Sequence, residues 1–143
     1  MKQIITFYLD DCLFGLENTH VDAVLPPTST AAVPQRQEQL FKGTMQLQDG
    51  RVIHVINTPK LLGMEHRPQN EATKVIVLRA KNLLLGLIVD QISEVTNVAE
   101  EEITRQMPLS QIDDAYLAGV ITSRSGKVIV LLDTGAMLSV LNP

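Results

Sequence analysis

The side chains that could do chemistry in this chain are few and scattered. Three histidines occur, His20, His54 and His66. None stands at the H-x-x-x-H spacing that sets two imidazoles around zinc, and the single cysteine, Cys12, offers no second thiolate. His54 alternates within RVIHVIN, which predicts a half-buried strand position. Cys12 reads as a small apolar residue at a strand start rather than a reactive thiol. Carboxylates cluster at Glu100-Glu101-Glu102 and Asp113-Asp114. The first reads as a solvated helix N-terminus ahead of Ile103, where the dipole favours negative charge. The second reads as a cap or loop pair. The nucleophile elbow G-x-S-x-G, the phosphate loop G-x-x-x-x-G-K-[ST] and the dinucleotide run G-x-G-x-x-G are all absent. An enzyme needs polar groups converging in a pocket, and none can be assembled here. The expectation is therefore no catalytic residue, no metal and no cofactor.

The bulk of the chain agrees with a binding module. Its 143 residues suffice for one domain with a real core, and 45% of them are hydrophobic. Aromatics are 3% and tryptophan is absent, so Val, Ile and Leu must build that core. The paucity of rings also argues against a stacking platform for bases. Net charge is −4 with a pI near 5.3, and no basic block appears. Nucleic acid and acidic membrane surfaces are not expected partners. A lone cysteine fits a reducing compartment. MKQIITFYLDD is no signal peptide, and no apolar run approaches the ~18 residues of a membrane span. The expected location is the cytoplasm.

The elements that carry these side chains are short. Residues 3–9 and 12–16 read as a hairpin around Asp10-Asp11. From Glu17, Val21, Val24 and Leu25 recur at spacings of three and four after Asn18, which predicts a two-turn helix ended by Pro26-Pro27. Residues 28–34 are a polar, Pro-bounded stretch with room for a short strand. FKGTMQL, QDG and RVIHVIN read as strand, Asp-Gly turn and strand. TPKLLGM reads as a short helix stopped at Gly63, and 66–73 as a connector. KVIVLRAKNLLLGLIVD gives two strands broken at Ala80-Lys81-Asn82. DQISEV is helix-like, with Asp90 placed to cap it. AEEEITRQMP is a charged connector. YLAGVITSRSGKVIVLLD is a hairpin turning at Ser125-Gly126, and TGAMLSVL closes as a short helix. Such a body leaves strand edges open to a partner.

The chain also echoes itself. Set residues 13–25 over 84–96. Leu13, Gly15, Leu16 and Val24 then meet Leu84, Gly86, Leu87 and Val95. Set 43–63 over 119–139. Gly43, Gly50, Val52, Ile53, Thr58 and Leu62 then meet Gly119, Gly126, Val128, Ile129, Thr134 and Leu138, while Asn57 meets Asp133. Both blocks place a glycine-bracketed hairpin before a short helix. The physical reading is two similar small barrels side by side, each too small to be secure alone, sharing a core.

The order of these motifs resembles the CheW-like domain family. The residues that carry the resemblance are Gly15-Leu16, Val21 to Val24, Val33-Pro34, Phe41-Lys42-Gly43, Val55-Ile56-Asn57, Leu62-Gly63, GLIVDQISEV (86–95), Gly119-Val120 and Leu131-Leu132-Asp133. They span about residues 3 to 141, and GLIVDQISEV is the most specific. The resemblance implies a mainly β fold. It has two small five-stranded SH3-like β-barrel subdomains on a shared hydrophobic core, with short helices. It implies one domain over 1–143 with halves near 1–68 and 72–143, exchange of strands at the termini being left open. It also implies a free-standing, non-catalytic adaptor. Such adaptors join the regulatory domain of a CheA-type histidine kinase to the cytoplasmic tips of methyl-accepting chemoreceptors.

The family's hairpin usually reads N-L-R-G, whereas here Gln46-Leu47-Gln48-Asp49-Gly50 is one residue longer and has no arginine before the glycine. The family's first-helix glutamate is Ala23 here, and its aspartate is Asn57. Both usual charges are thus expected to be missing together, with altered partner recognition as the result. The expected partner-binding residues are Val21, Ala23, Gly43, Gln48, Asp49, Arg51, Asn57, Asp90 and Glu94. Two alternatives stand beside the coupling adaptor. One is a specialised CheW-like scaffold for pilus motility or development. The other is a small-molecule-binding β-barrel with a pocket lined by His54 and Asp133.

Overall fold

The computed structural model describes residues 2–27, 41–47, 49–64, 70–80, 83–105, 114–122 and 126–139. The strands are β1 (Lys2–Leu9), β2 (Cys12–Glu17), β3 (Val21–Leu25), β4 (Phe41–Gln46), β5 (Val52–Ile56), β6 (Lys74–Ala80), β7 (Leu83–Val89), β8 (Gln91–Val98), β9 (Ile103–Thr104), β10 (Leu117–Thr122) and β11 (Val128–Leu132). Two short helices follow β5 and β11, α1 (Thr58–Leu61) and α2 (Thr134–Leu138). The strands form a five-stranded sheet in the order β3-β6-β7-β5-β4 and a six-stranded sheet in the order β8-β1-β2-β11-β10-β9. The first hairpin therefore lies among strands from the end of the chain.

Two expected helices are strands. Residues 17–25 hold a single 3-10 turn (Asn18–His20) and then β3. QISEV belongs to β8. The cause is the same in both places. The β3–β6 register slips between Val21 and Ala23, and the β1–β8 register slips between Ile5 and Phe7. A bulge inserts a residue and resets the alternation of faces, so apolar residues fall three apart as they do on a helix. Glu100–Glu102 likewise form a 3-10 turn before the short β9, not the start of a longer helix.

The echo is a register. Val55 pairs with Gly86 on parallel β5 and β7, and Leu131 pairs with Gly15 on parallel β11 and β2. Thr6 faces Gly15 as Val77 faces Gly86, and Val95 faces Ile5 as Val24 faces Ile76. Gly43 and Gly119 both follow a bulge inside their strands. Asn57 and Asp133 both cap the helix that follows, accepting the N–H of Lys60 and Ala136 respectively.

Both faces of the central strands are buried, which is why LLLGLIV reads as a continuous apolar run. One face supplies a shared core between the sheets. It takes Ile5, Phe7, Leu9, Phe14 and Leu16 from one sheet and Ile56, Ile76, Leu78, Leu85 and Leu87 from the other. Phe7 and Phe14 stack there with ring centres 6.0 Å apart. The opposite face of each sheet curls over its own small core. Ile53, Val55, Val75, Val77, Leu84 and Ile88 fill the five-stranded sheet, while Ile4, Val98, Ile103, Ile121, Ile129 and Leu131 fill the six-stranded one.

Candidate functional site

The edges of the five-stranded sheet, β3 and β4, come together over one groove of about 580 Å³. Its floor is apolar, from Ala23, Leu25, Met45 and Leu47. Its rim is ionic. Asp22 sits at the β3 bulge, where the extra residue re-aims a side chain. Its side chain is only 16% exposed, with Arg51 from the β4–β5 turn and Arg79 from β6 each 3.6 Å away. Arg51 also donates from Nε to Asp49 at 2.8 Å, and its backbone N–H bonds the same carboxylate. Those two bonds, the backbone one first, hold the Asp49 carboxyl below its usual range.

Three of the expected partner-binding residues line this groove: Ala23, Asp49 and Arg51. Val21 and Gly43 lie on the same two strands, Val21 packing towards the shared core and Gly43 holding a φ of 144°. Gln48 lies outside the described residues. Asn57 is the α1 cap and stands apart.

Asp90 and Glu94 belong to the other sheet's margin. With no helix to cap, Asp90 accepts the N–H of Asp10 at 2.6 Å, and its own N–H donates to the Tyr8 carbonyl. Asp10 takes a φ of 57°, so Asp90 fixes a left-handed turn residue between β1 and β2. Glu94 contributes its backbone. The buried Thr6 hydroxyl donates to the Glu94 carbonyl at 2.8 Å and accepts its N–H at 3.0 Å, replacing ladder bonds at the bulge.

Ala23 and Asp49 stand where the resemblance leads one to expect charges, and a carboxylate–arginine pair lies beside them: Asp22 one residue before Ala23, and Arg51 directly after Gly50. Asp22 and Arg79 were not among the expected site residues. The signal that could have found Asp22 is a lone charge between Val21 and Ala23 in an otherwise apolar run. Arg79 reads in sequence as a strand-end charge only.

Among the described residues four large apolar side chains are exposed, Val24, Val52, Val95 and Val128. They form two equivalent pairs under the echo, one on each sheet's edge strand and one at the start of β5 and β11. A second ionic group joins Lys2 to Glu17 at 2.8 Å and to Glu100 at 3.4 Å, with Glu100 also held by Arg105. Glu17, then Glu100, raises the Lys2 ammonium above its ordinary value, while Arg105, then Lys2, lowers the Glu100 carboxyl. His54 lies within β5, and the groove that Asp133 lines in the other sheet does not include it. Among the described residues no three His, Cys, Asp or Glu side chains are grouped to hold a metal.

Residues 3–142 match the model of the CheW-like domain. This chain belongs to the CheW-like family. Among its relatives, the chemotaxis protein CheW of Thermotoga maritima is 24% identical over 133 residues, covering 92% of this chain and 83% of that protein. The probable chemotaxis protein CheW of Rhizobium etli is 24% identical over 138 residues, covering 96% and 88%. The crystal structure of the scaffolding protein TtCheW from Thermoanaerobacter tengcongensis superposes with a TM-score of 0.81 at 29% identity, covering 92% of this chain and 84% of that one. The mainly β fold of two subdomains on a shared core with short helices, expected from the resemblance, is the fold observed, with one sheet of five strands as expected and the other of six.

Proposed function

We propose that this chain is a non-catalytic coupling adaptor of chemotaxis-like signalling. It holds the regulatory domain of a CheA-type histidine kinase against the cytoplasmic tips of methyl-accepting chemoreceptors. The observation that carries this reading is the family match across residues 3–142, on a fold shared with a scaffolding protein. The surface supports it. Exposed valines on both sheets offer apolar contact points, and the rim of the β3–β4 groove offers charge, the usual division of an interface into centre and edge. Val21, Ala23, Gly43, Asp49, Arg51 and Asn57 are assigned to partner contact on the first sheet's side and Asp90 and Glu94 on the second's, with Gln48 kept as a partner contact on the resemblance alone. On this reading the chain works in the cytoplasm beside the receptor array. No described helix is long and apolar enough to cross a membrane.

Calorimetry of the purified chain with the regulatory domain of a CheA-type kinase from the same organism tests the proposal. Micromolar or tighter binding is expected. A well-folded chain that binds no such kinase would sink it. Asp49→Lys is expected to weaken that binding with little change in thermal stability, since the side chain is exposed. Equal loss of both would remove the turn from the interface. A second reading, a specialised scaffold for another pathway, is favoured by the Asp22–Arg51 pair, which lies beside the expected charge positions. Preference for one paralogous kinase over the chemotaxis kinase would decide for it.

A further inference from the structure

The six-stranded sheet ends on β8 at one side and β9 at the other. These two strands are consecutive in the chain but are not neighbours in the sheet, so the turn at Glu100–Glu102 carries the chain from one end of the sheet to the other. β9 is two residues long and meets β10 at two positions, Ile103 opposite Ile121 and Thr104 opposite Val120. Beneath it lies the outer edge of β10, the kind of edge that takes up another strand when bare.

So short a strand needs support from outside its own ladder, and two features supply it. The first is ionic. Glu100 reaches Lys2 on β1 at 3.4 Å and also pairs with Arg105, directly after β9. Lys2 continues to Glu17 on β2, and Arg105 donates to the Ala118 carbonyl on β10 at 3.3 Å. Glu100 thus ties both ends of the sheet to one turn. The second feature is steric. A Cβ at Gly119 would stand 2.7 Å from Ile103 Cγ2 and 2.9 Å from the Thr104 carbonyl oxygen. β9 sits closer to β10 than a side chain there would permit, and glycine makes the seat. Ile103 then packs into the small core beside Val98, Ile121 and Ile129.

We propose that residues 99–105 form a strap over the edge of β10, held by Glu100 and seated against Gly119, and that the strap lifts as a unit while the rest of the six-stranded sheet stays paired. The inference concerns the second sheet alone and does not depend on which partner the chain serves. The ionic hold lies at the surface, with the Glu100 and Arg105 side chains 57% and 52% exposed. Salt therefore loosens it, since the screening length shortens from about 10 Å at ~0.1 M to about 3 Å at ~1 M.

Hydrogen–deuterium exchange of the full chain at low and high sodium chloride tests the strap. In the wild type, residues 99–105 and Val120–Ile121 are expected to exchange about two- to fivefold faster at high salt, the range that exposed ion pairs govern. The β1–β2 and β1–β8 ladders are expected to stay unchanged. Glu100→Gln should give the high-salt rates at low salt and abolish the response. Gly119→Ala should speed the same residues by about fivefold or more at either salt, because the added methyl pushes β9 off its seat. A wild-type strap indifferent to salt would overturn the proposal. So would a β1–β8 ladder that accelerates with the strap in the wild type, or a Gly119→Ala protein whose β9 and β10 exchange as before. The wild-type series needs no substitution, so it decides the matter even where a variant folds poorly.

Discussion

Gly86→Ala and Gly15→Ala place the same methyl group at equivalent points of the two sheets, so each is a control for the other. Gly86 is central in β7, and its φ lies outside the left-handed range, so alanine suits the backbone. The space does not suit it. A Cβ there would stand 2.9 Å from Ile53 Cγ2, 3.0 Å from Val75 Cγ1 and 3.4 Å from Val55 Cγ2. All three are β-branched and fully buried, with little freedom to turn aside. Overpacking of this kind costs about 1–3 kcal/mol. Alanine recovers about 0.4–1 kcal/mol by restricting the unfolded chain. The net loss is about 1–2 kcal/mol, which lowers Tm by roughly 3–10 °C for a domain of this size. At Gly15 the Cβ would meet Ile129 Cγ2 at 3.1 Å and the flexible Ile4 Cδ1 at 3.3 Å. Both contacts are longer, and one atom is the end of a movable side chain. The expected change is within about 0.5 kcal/mol of zero, because the alanine gain offsets a small strain. Urea unfolding and scanning calorimetry on both variants measure the difference. A neutral Gly86→Ala, or a Gly15→Ala that is the more damaging, would refute the packing argument.

Thr6→Val removes the hydroxyl that serves both backbone groups of Glu94. Urea unfolding should show a loss of about 1–3 kcal/mol from the groups left unpaired. Asn57→Ala and Asp133→Ala each remove a helix cap, and each should cost about 1 kcal/mol by the same assay. Asp49 and Glu100 both have carboxyl pKa values below the ordinary 3.8 and 4.5. Their contributions are fully present above those ordinary values and are lost as pH falls through the depressed ones. Asp49→Asn with Glu100→Gln should therefore lower Tm slightly at neutral pH, leave it unchanged at the acid end and so flatten the acid limb of a Tm-against-pH profile. Lys2 has the opposite sign, since its raised pKa gives stability below 10.5 that is lost as pH rises through the higher folded value. Lys2→Met should flatten the alkaline limb.

Much of the fold was legible because glycine positions and apolar periods are local. Gly50 and Gly126 sit at φ of 90° and 86°, as the Asp-Gly and Ser-Gly signals require of a tight hairpin. The paired offsets of the echo pointed to two like sheets, and the registers at Gly15 and Gly86 follow them. The bulged strands were not legible. At Val21 and Ile92 the slip in register imitates the helical spacing, and only the partner strand reveals it. The site was readable in part. Asp49 and Arg51 flank Gly50 in a hairpin that the turn chemistry marks. Asp22 and Arg79 join them from strands remote in sequence, and a single chain gives no sign of which charges will meet. Asp90 was singled out for a helix cap, whereas its carboxylate fixes a turn 80 residues away.

The distribution of strands between the sheets also sets an order of assembly. Within residues 21–89 every strand of the five-stranded sheet is present, so that sheet can form while later residues are still being synthesised. The first hairpin cannot join its sheet so early. β1 needs β8 and β2 needs β11, and on a ribosome the wait is on the order of ten seconds. Throughout that interval Phe7, Phe14 and Leu16 belong to an unfinished surface. The hairpin, made before its sheet partners, therefore completes its packing after the five-stranded sheet that follows it in sequence.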